Sequence, residues 1–165
     1  MEPRKATRDE STEDLFVQAN REWDRGNAKL AFKLFSQAAA AGHASAKNSV
    51  GYFLDHGLGI RKNSSQALMW YRRAARQGDL SAYSNIATSY RNAGDTKRAK
   101  IWFEKAVAKG DGGAAADLAR LLLDTNKEAH RMEALRLLKA AVKSKYISEE
   151  DRHEATRLLE ELTRG

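Results

Sequence analysis

The residues able to do chemistry by themselves are few and poorly spaced for it. Four histidines, His43, His56, His130 and His153, stand far apart, and none falls in a zinc-protease helix motif or a paired-ligand spacing. Asp55 and His56 are adjacent, which on a helix separates their side chains by about 100°. Gly57-Leu58-Gly59 is glycine-rich, but a phosphate-cradling loop follows a strand and no strand is expected here. Cysteine is absent, which excludes a disulfide framework, a thiolate metal site and a cysteine nucleophile. No catalytic residue, metal site or cofactor is assigned, and the chain is expected not to be an enzyme.

Positive charge is more plentiful. The 165 residues hold 29 Lys and Arg against 22 Asp and Glu, a formal net charge of +7. Residues 1–14 carry three basic and five acidic side chains, and residues 149–165 carry three and six. The span between them therefore holds 23 basic against 11 acidic groups. Such a surface follows phosphates or an acidic partner with steeply salt-dependent affinity, although solvated helix faces are also basic for no such reason. No apolar run approaches the roughly 18 residues that cross a bilayer, so no membrane insertion is expected. The N-terminus has charges with no apolar stretch behind them, so a cytoplasmic chain is expected.

Positioning must come from helices. With one Pro and 42% hydrophobic residues, the chain is rich in helix formers and long enough for a core. Four segments superpose: Ala31…Phe35…Ala38, Ala67…Tyr71…Ala74, Ala99…Phe103…Ala106 and Ala134…Leu138…Ala141, their starts 36, 32 and 35 residues apart. The i, i+4, i+7 spacing is one helix face, with small residues flanking a bulky one where a neighbouring helix comes close. A second apolar-periodic segment precedes each, as in Ala46…Val50-Gly51…Leu54, Ala82…Ile86-Ala87…Tyr90 and Ala114…Leu118-Ala119…Leu122. The repeating unit is a helical hairpin.

Helices are expected near 12–25, 28–41, 44–56, 64–77, 80–93, 96–109, 112–124, 127–144 and 148–163. Gly26-Asn27 and Gly94-Asp95 supply stops and caps, and Thr125 with Glu128 reads as a capping box. A disordered tail over 1–11 would precede one domain over 12–165. Its units would run 12–43, 44–79, 80–111 and 112–146, with a capping helix over 147–165.

The stretch Gly57-x-Gly59-Ile60-x-Lys62-Asn63-x-x-x-Ala67-x-x-Trp70-Tyr71-x-x-Ala74-Ala75-x-x-Gly78 resembles the Sel-one-like repeat, the longer relative of the tetratricopeptide repeat. The other three units resemble tetratricopeptide repeats, with small residues at Ala19, Ala87 and Ala119. The resemblance covers roughly residues 12–146. It implies an all-α, right-handed α-solenoid of about four hairpins with a C-terminal capping helix.

It also implies a concave groove lined by first helices. Groove positions fall on Asn20, Trp23, Asn48, Tyr52, Asp55, His56, Ser84, Thr88, Arg91, Asn92, Arg120 and Asp124. These side chains are polar with two large rings, the kind that anchors a protein or peptide partner. The second helices would form the outer face and carry Arg72, Arg73, Arg76, Lys97, Lys100, Lys105, Lys109, Arg136, Lys139 and Lys143, an alternative surface for nucleic acid or an acidic partner. Phe35, Tyr71 and Phe103 are reserved for the core, which leaves few rings to stack on bases. The modules of the family that clamp a chaperone's terminal carboxylate are matched by Asn20 alone, with Phe16, Asn48 and Ser81 at the other places. An adaptor without catalytic activity is therefore expected. The resemblance also extends to bacterial immunity proteins that neutralise one toxin.

Overall fold

In a computed structural model the described residues are 11–125 and 127–164. They form nine α-helices: α1 Thr12–Asp24, α2 Ala28–Ala40, α3 Ala44–His56, α4 Ser64–Arg76, α5 Ser81–Asn92, α6 Thr96–Val107, α7 Gly112–Leu123, α8 Glu128–Lys143 and α9 Glu149–Arg164. The expected tail, apart from Ser11, lies outside the described residues. The chain divides into two compact units, residues 1–77 and 78–165.

In the first unit, α1 pairs with α2 and α3 with α4, and α2 packs on α3. Ser11 starts the first hairpin with a reciprocal cap: its Oγ accepts from the Asp14 amide at 3.1 Å, and Asp14 Oδ2 accepts from the Ser11 amide at 3.2 Å. The stripe read from the sequence is the core, with Ala31, Phe35, Ala38, Ala67, Tyr71 and Ala74 all buried. Phe53 joins it, its ring centroid 5.4 Å from that of Phe35.

Gly51 lets α3 and α4 approach, because a Cβ there would stand 2.6 Å from two ring carbons of Tyr71. The longer α3–α4 connection folds back on the first hairpin. A Cβ on Gly59 (φ +69°) would stand 2.8 Å from the Lys29 amide nitrogen, so only glycine fits there. The Asn63 amide ends the loop on Leu54 O at 2.7 Å, and the Asn63 side chain caps α4.

In the second unit α5 pairs with α6 and α7 with α8, α6 packs on α7, and α9 lies on α8 and α7. Ala82, Ile86, Ala99, Phe103, Leu118, Leu138 and Ala155 are buried. Asp95 and Asp111 cap α6 and α7 by accepting from the Arg98 and Ala114 amides. The expected capping box at Thr125 does not form. The residue before α8 is Lys127, which makes no side-chain cap, and Thr125 Oγ1 instead donates to Leu122 O at 2.6 Å. Its short side chain closes the end of α7 rather than opening α8. Asn27 precedes α2 without capping it, since its amide donates to Glu22 at 2.7 Å.

Candidate functional site

The groove residues fall in both units, and each set has its own geometry. In the first unit the residues expected for the groove include two large rings, Trp23 on α1 and Tyr52 on α3. Trp23 is 38% exposed and rests edge-on against buried Phe53, with centroids 4.9 Å apart. Tyr52 is 41% exposed and lies 4.1 Å from the ring of His56, whose Nδ1 is 3.0 Å from Tyr52 O. Each ring is thus held on one side and open on the other.

Asn20 turns inward and donates to Phe16 O at 2.8 Å, so it braces α1. Asn48 and Asp55 are partly buried on α3. Burial pushes the Tyr71 hydroxyl well above its ordinary range, and the negative charge of Asp55 pushes in the same direction. His43 belongs to the turn. Its Nδ1 caps α3 by accepting from the Ala46 amide, Nε2 meets Glu13 at 3.0 Å, and the ring stacks on Phe16 at 4.3 Å.

In the second unit the geometry is electrostatic. Arg91 on α5 donates to Asp117 on α7 at 2.8 Å, and Arg120 reaches the same oxygen at 3.5 Å. The Arg91 guanidinium also lies 5.5 Å above the Phe103 ring. Ser84 Oγ donates to the Asp111 carboxylate, which is already capping α7. Thr88 is partly buried, and Asn92 and Asp124 are exposed at the ends of α5 and α7. A cleft of about 350 Å³ opens beside Asp111, walled by Leu80, Lys109 and Tyr146.

Asp117 is the residue that reading by repeat position missed. It joins two of the assigned arginines, and its i, i+3 spacing to Arg120 was the available signal. Among the described residues no group of three or more metal-ligating side chains occurs, and no helix is long and apolar enough to cross a membrane.

The alternative basic residues also divide between the units. Arg72, Arg73 and Arg76 lie exposed on α4, and the others lie on or just after α6 and on α8. Several are engaged locally. Arg73 covers Trp70 at 4.8 Å, Lys105 covers Trp102 at 4.3 Å, Arg136 binds Glu133 at 2.7 Å, and Lys100 stands 3.8 Å from Glu104.

A run of helical hairpins with alanine-lined seams and no strands among the described residues defines an all-α repeat protein of the solenoid class. The model of the Sel1 repeat matches residues 24–43, 44–79 and 91–111. The structure is similar to that of a Sel1 repeat protein from Oxalobacter formigenes, with a TM-score of 0.77 and 29% identity over 90% of this chain and 60% of that one. It is also similar to a protective antigen of uropathogenic Escherichia coli strains that displays an SLR fold, with a TM-score of 0.73 and 25% identity over 79% of this chain and 30% of the other. MamA shares the fold at a TM-score of 0.60 and 17% identity, over 90% of this chain and 82% of its own. The chain thus spans less than two thirds of the length of the first two neighbours. Sel1 repeats are generally non-catalytic protein-interaction modules.

Proposed function

We propose that this chain is a non-catalytic adaptor that binds a polypeptide along the groove faces of its first helices. The observation that carries the reading is the pair of rings in the first unit. Trp23 and Tyr52 are each seated on a neighbouring ring and each more than a third exposed. Fixed amphipathic rings lose little conformational entropy when covered, which is what an interface anchor requires. Arg91, braced by Asp117 and Phe103, offers the second unit's groove a guanidinium in a set position.

The test is capture from source-cell lysate by the tagged chain, at low and near-molar salt, with and without nuclease. One polypeptide retained at high salt and indifferent to nuclease is expected. Tyr52→Ala with Arg91→Ala should weaken its binding about tenfold or more, with the helical circular-dichroism signal nearly unchanged and the melting temperature lowered only as far as losing the Arg91–Asp117 ion pair lowers it. Unaltered affinity would remove the groove from the reading. If the retained polypeptide is a toxin or enzyme that the chain inhibits, the adaptor becomes a dedicated neutraliser. Nucleic acid retained only at low salt would move the function to the basic residues of the second helices.

A further inference from the structure

The first unit sorts its charges by helix. Helices α1 and α3 together carry five acidic side chains against two basic ones, while α2 and α4 carry five basic side chains and none that is acidic. The two first helices thus run against the sign of a chain whose net charge is +7.

Helices α1 and α3 lie side by side and point the same way. At their starts His43, which caps α3, meets Glu13 at 3.0 Å and stacks on Phe16; at their ends Trp23 rests against Phe53. Their C-terminal ends therefore share one side of the unit, where the negative ends of both helix dipoles favour cations. The exposed rings of Trp23 and Tyr52 stand at that end. So do two carboxylates, Asp24, exposed at the end of α1, and Asp55, half-buried one residue before the end of α3.

Among the described residues neither carboxylate makes a hydrogen bond or an ion pair. The other acids of these helices are committed. Asp14 belongs to the cap of α1, Glu13 meets His43, and hydrogen bonds from Asn27 and Arg25 hold the Glu22 carboxyl below the usual carboxylate range. The cations of the same region do not neutralise the pair. Lys47 stands in the first turn of α3 and donates to Gln77 at 2.6 Å. Arg21 on α1 and Arg61 and Lys62 in the connection after α3 are exposed and form no ion pair among the described residues. His56 Nδ1 donates to Tyr52 O, so Nε2 of the neutral ring is a further acceptor beside Tyr52.

Aromatic faces attract cations, and a carboxylate beside the ring adds Coulomb attraction. An acidic or wholly apolar segment covering this end would leave Asp55, already partly out of water, without a counter-charge. We infer that the polypeptide segment bound by the first unit is basic, with arginine or lysine side chains over the open faces of Trp23 and Tyr52 and with Asp24 and Asp55 as their counter-charges. This rests on the groove reading above and adds the sign of the partner.

The experiment is calorimetric titration of the full chain with a capped peptide of alternating arginine and alanine, and with its citrulline counterpart, which keeps the shape of arginine without the charge. The arginine peptide should bind at least about tenfold more tightly. Asp24→Asn with Asp55→Asn removes two charges at nearly constant shape and should erase most of that preference, with the urea midpoint not lowered. Should that pair fold poorly, Asp24→Asn alone, at an exposed position, should still reduce the preference about threefold. Glu149→Gln with Glu150→Gln removes the same charge from α9 of the second unit and should leave the preference in place. Equal binding of the two peptides would overturn the inference. So would a preference that survives the Asp24 and Asp55 substitutions, or one that falls as far with those of Glu149 and Glu150. The groove reading fails separately: a polypeptide from lysate that is lost by Tyr52→Ala with Arg91→Ala but held by Asp24→Asn with Asp55→Asn would keep the groove and remove the basic partner.

Discussion

Gly51 and Tyr71 decide how closely two helices of the first unit can lie. Gly51→Ala would gain roughly 1 kcal/mol of helix propensity. It would also place a methyl 2.6 Å from a Tyr71 ring that is 1% exposed and has nowhere to move. The clash should win, with a net loss of about 1–3 kcal/mol in urea denaturation. The Tyr71 hydroxyl gives a separate, pH-dependent signal. Burial raises its pKa in the folded state, with the charge of Asp55 adding to the rise. The neutral phenol is thus favoured by folding, and the contribution is complete below the unfolded value of about 10. Above that pH the unfolded tyrosine ionises first and stability falls. Denaturation midpoints at increasing alkaline pH should therefore fall less steeply for Tyr71→Phe than for the parent; parallel curves would assign the alkaline loss to other groups.

The elements rest on the alanine stripes. Ala74 is fully buried on α4, which packs on α3, so Ala74→Leu adds three carbons to a seam with no room for them. A loss of about 1–3 kcal/mol is expected by thermal or urea melting, and a neutral result would mean that the stripe does not face the seam. This stripe is also why the helices were legible in the sequence. The positions Ala31, Ala67, Ala99 and Ala134 all turn out fully buried, and the helix ends fall within a few residues of those read from periodicity and glycine stops. The failures are local and polar. Thr125 was read as the opening of α8, but a hydroxyl can satisfy a helix-end carbonyl as readily as a helix-start amide, and only the fold shows which lies nearer. Repeat position gave Arg91 and Arg120 but not Asp117 between them, since charge pairing across helices depends on side-chain reach rather than on periodicity. Likewise Asn20 has a groove position, yet its amide is spent on Phe16 O.

At the scale of the molecule, first helices carry Trp23, Tyr52 and Arg91 while second helices carry many of the exposed cations. Helix α9 has a different task. It is strongly acidic, and its ion pairs, Arg157 with Glu154 and Glu161 and Arg164 with Glu160, are exposed and contribute little. Its hold on the second unit comes from Ala155 and the half-buried Leu158, Leu159 and Leu162, together with hydrogen bonds to and from backbone groups. Arg152 donates to the carbonyls of Val142 and Ser144, and Arg131 of α8 donates to Leu162 O at 2.8 Å. Deleting residues 149–165 would expose that apolar strip and free Arg131 of its partner, for an expected loss of roughly 3 kcal/mol in the second unit. Tryptophan placement makes this measurable unit by unit, because Trp23 and Trp70 lie in the first unit and Trp102 in the second. In a Trp23→Phe, Trp70→Phe background, fluorescence reports Trp102 alone, and truncation should move its urea midpoint downward. A midpoint that stays in place would show that α5–α8 close their own core and that α9 is an ornament of charge on the surface.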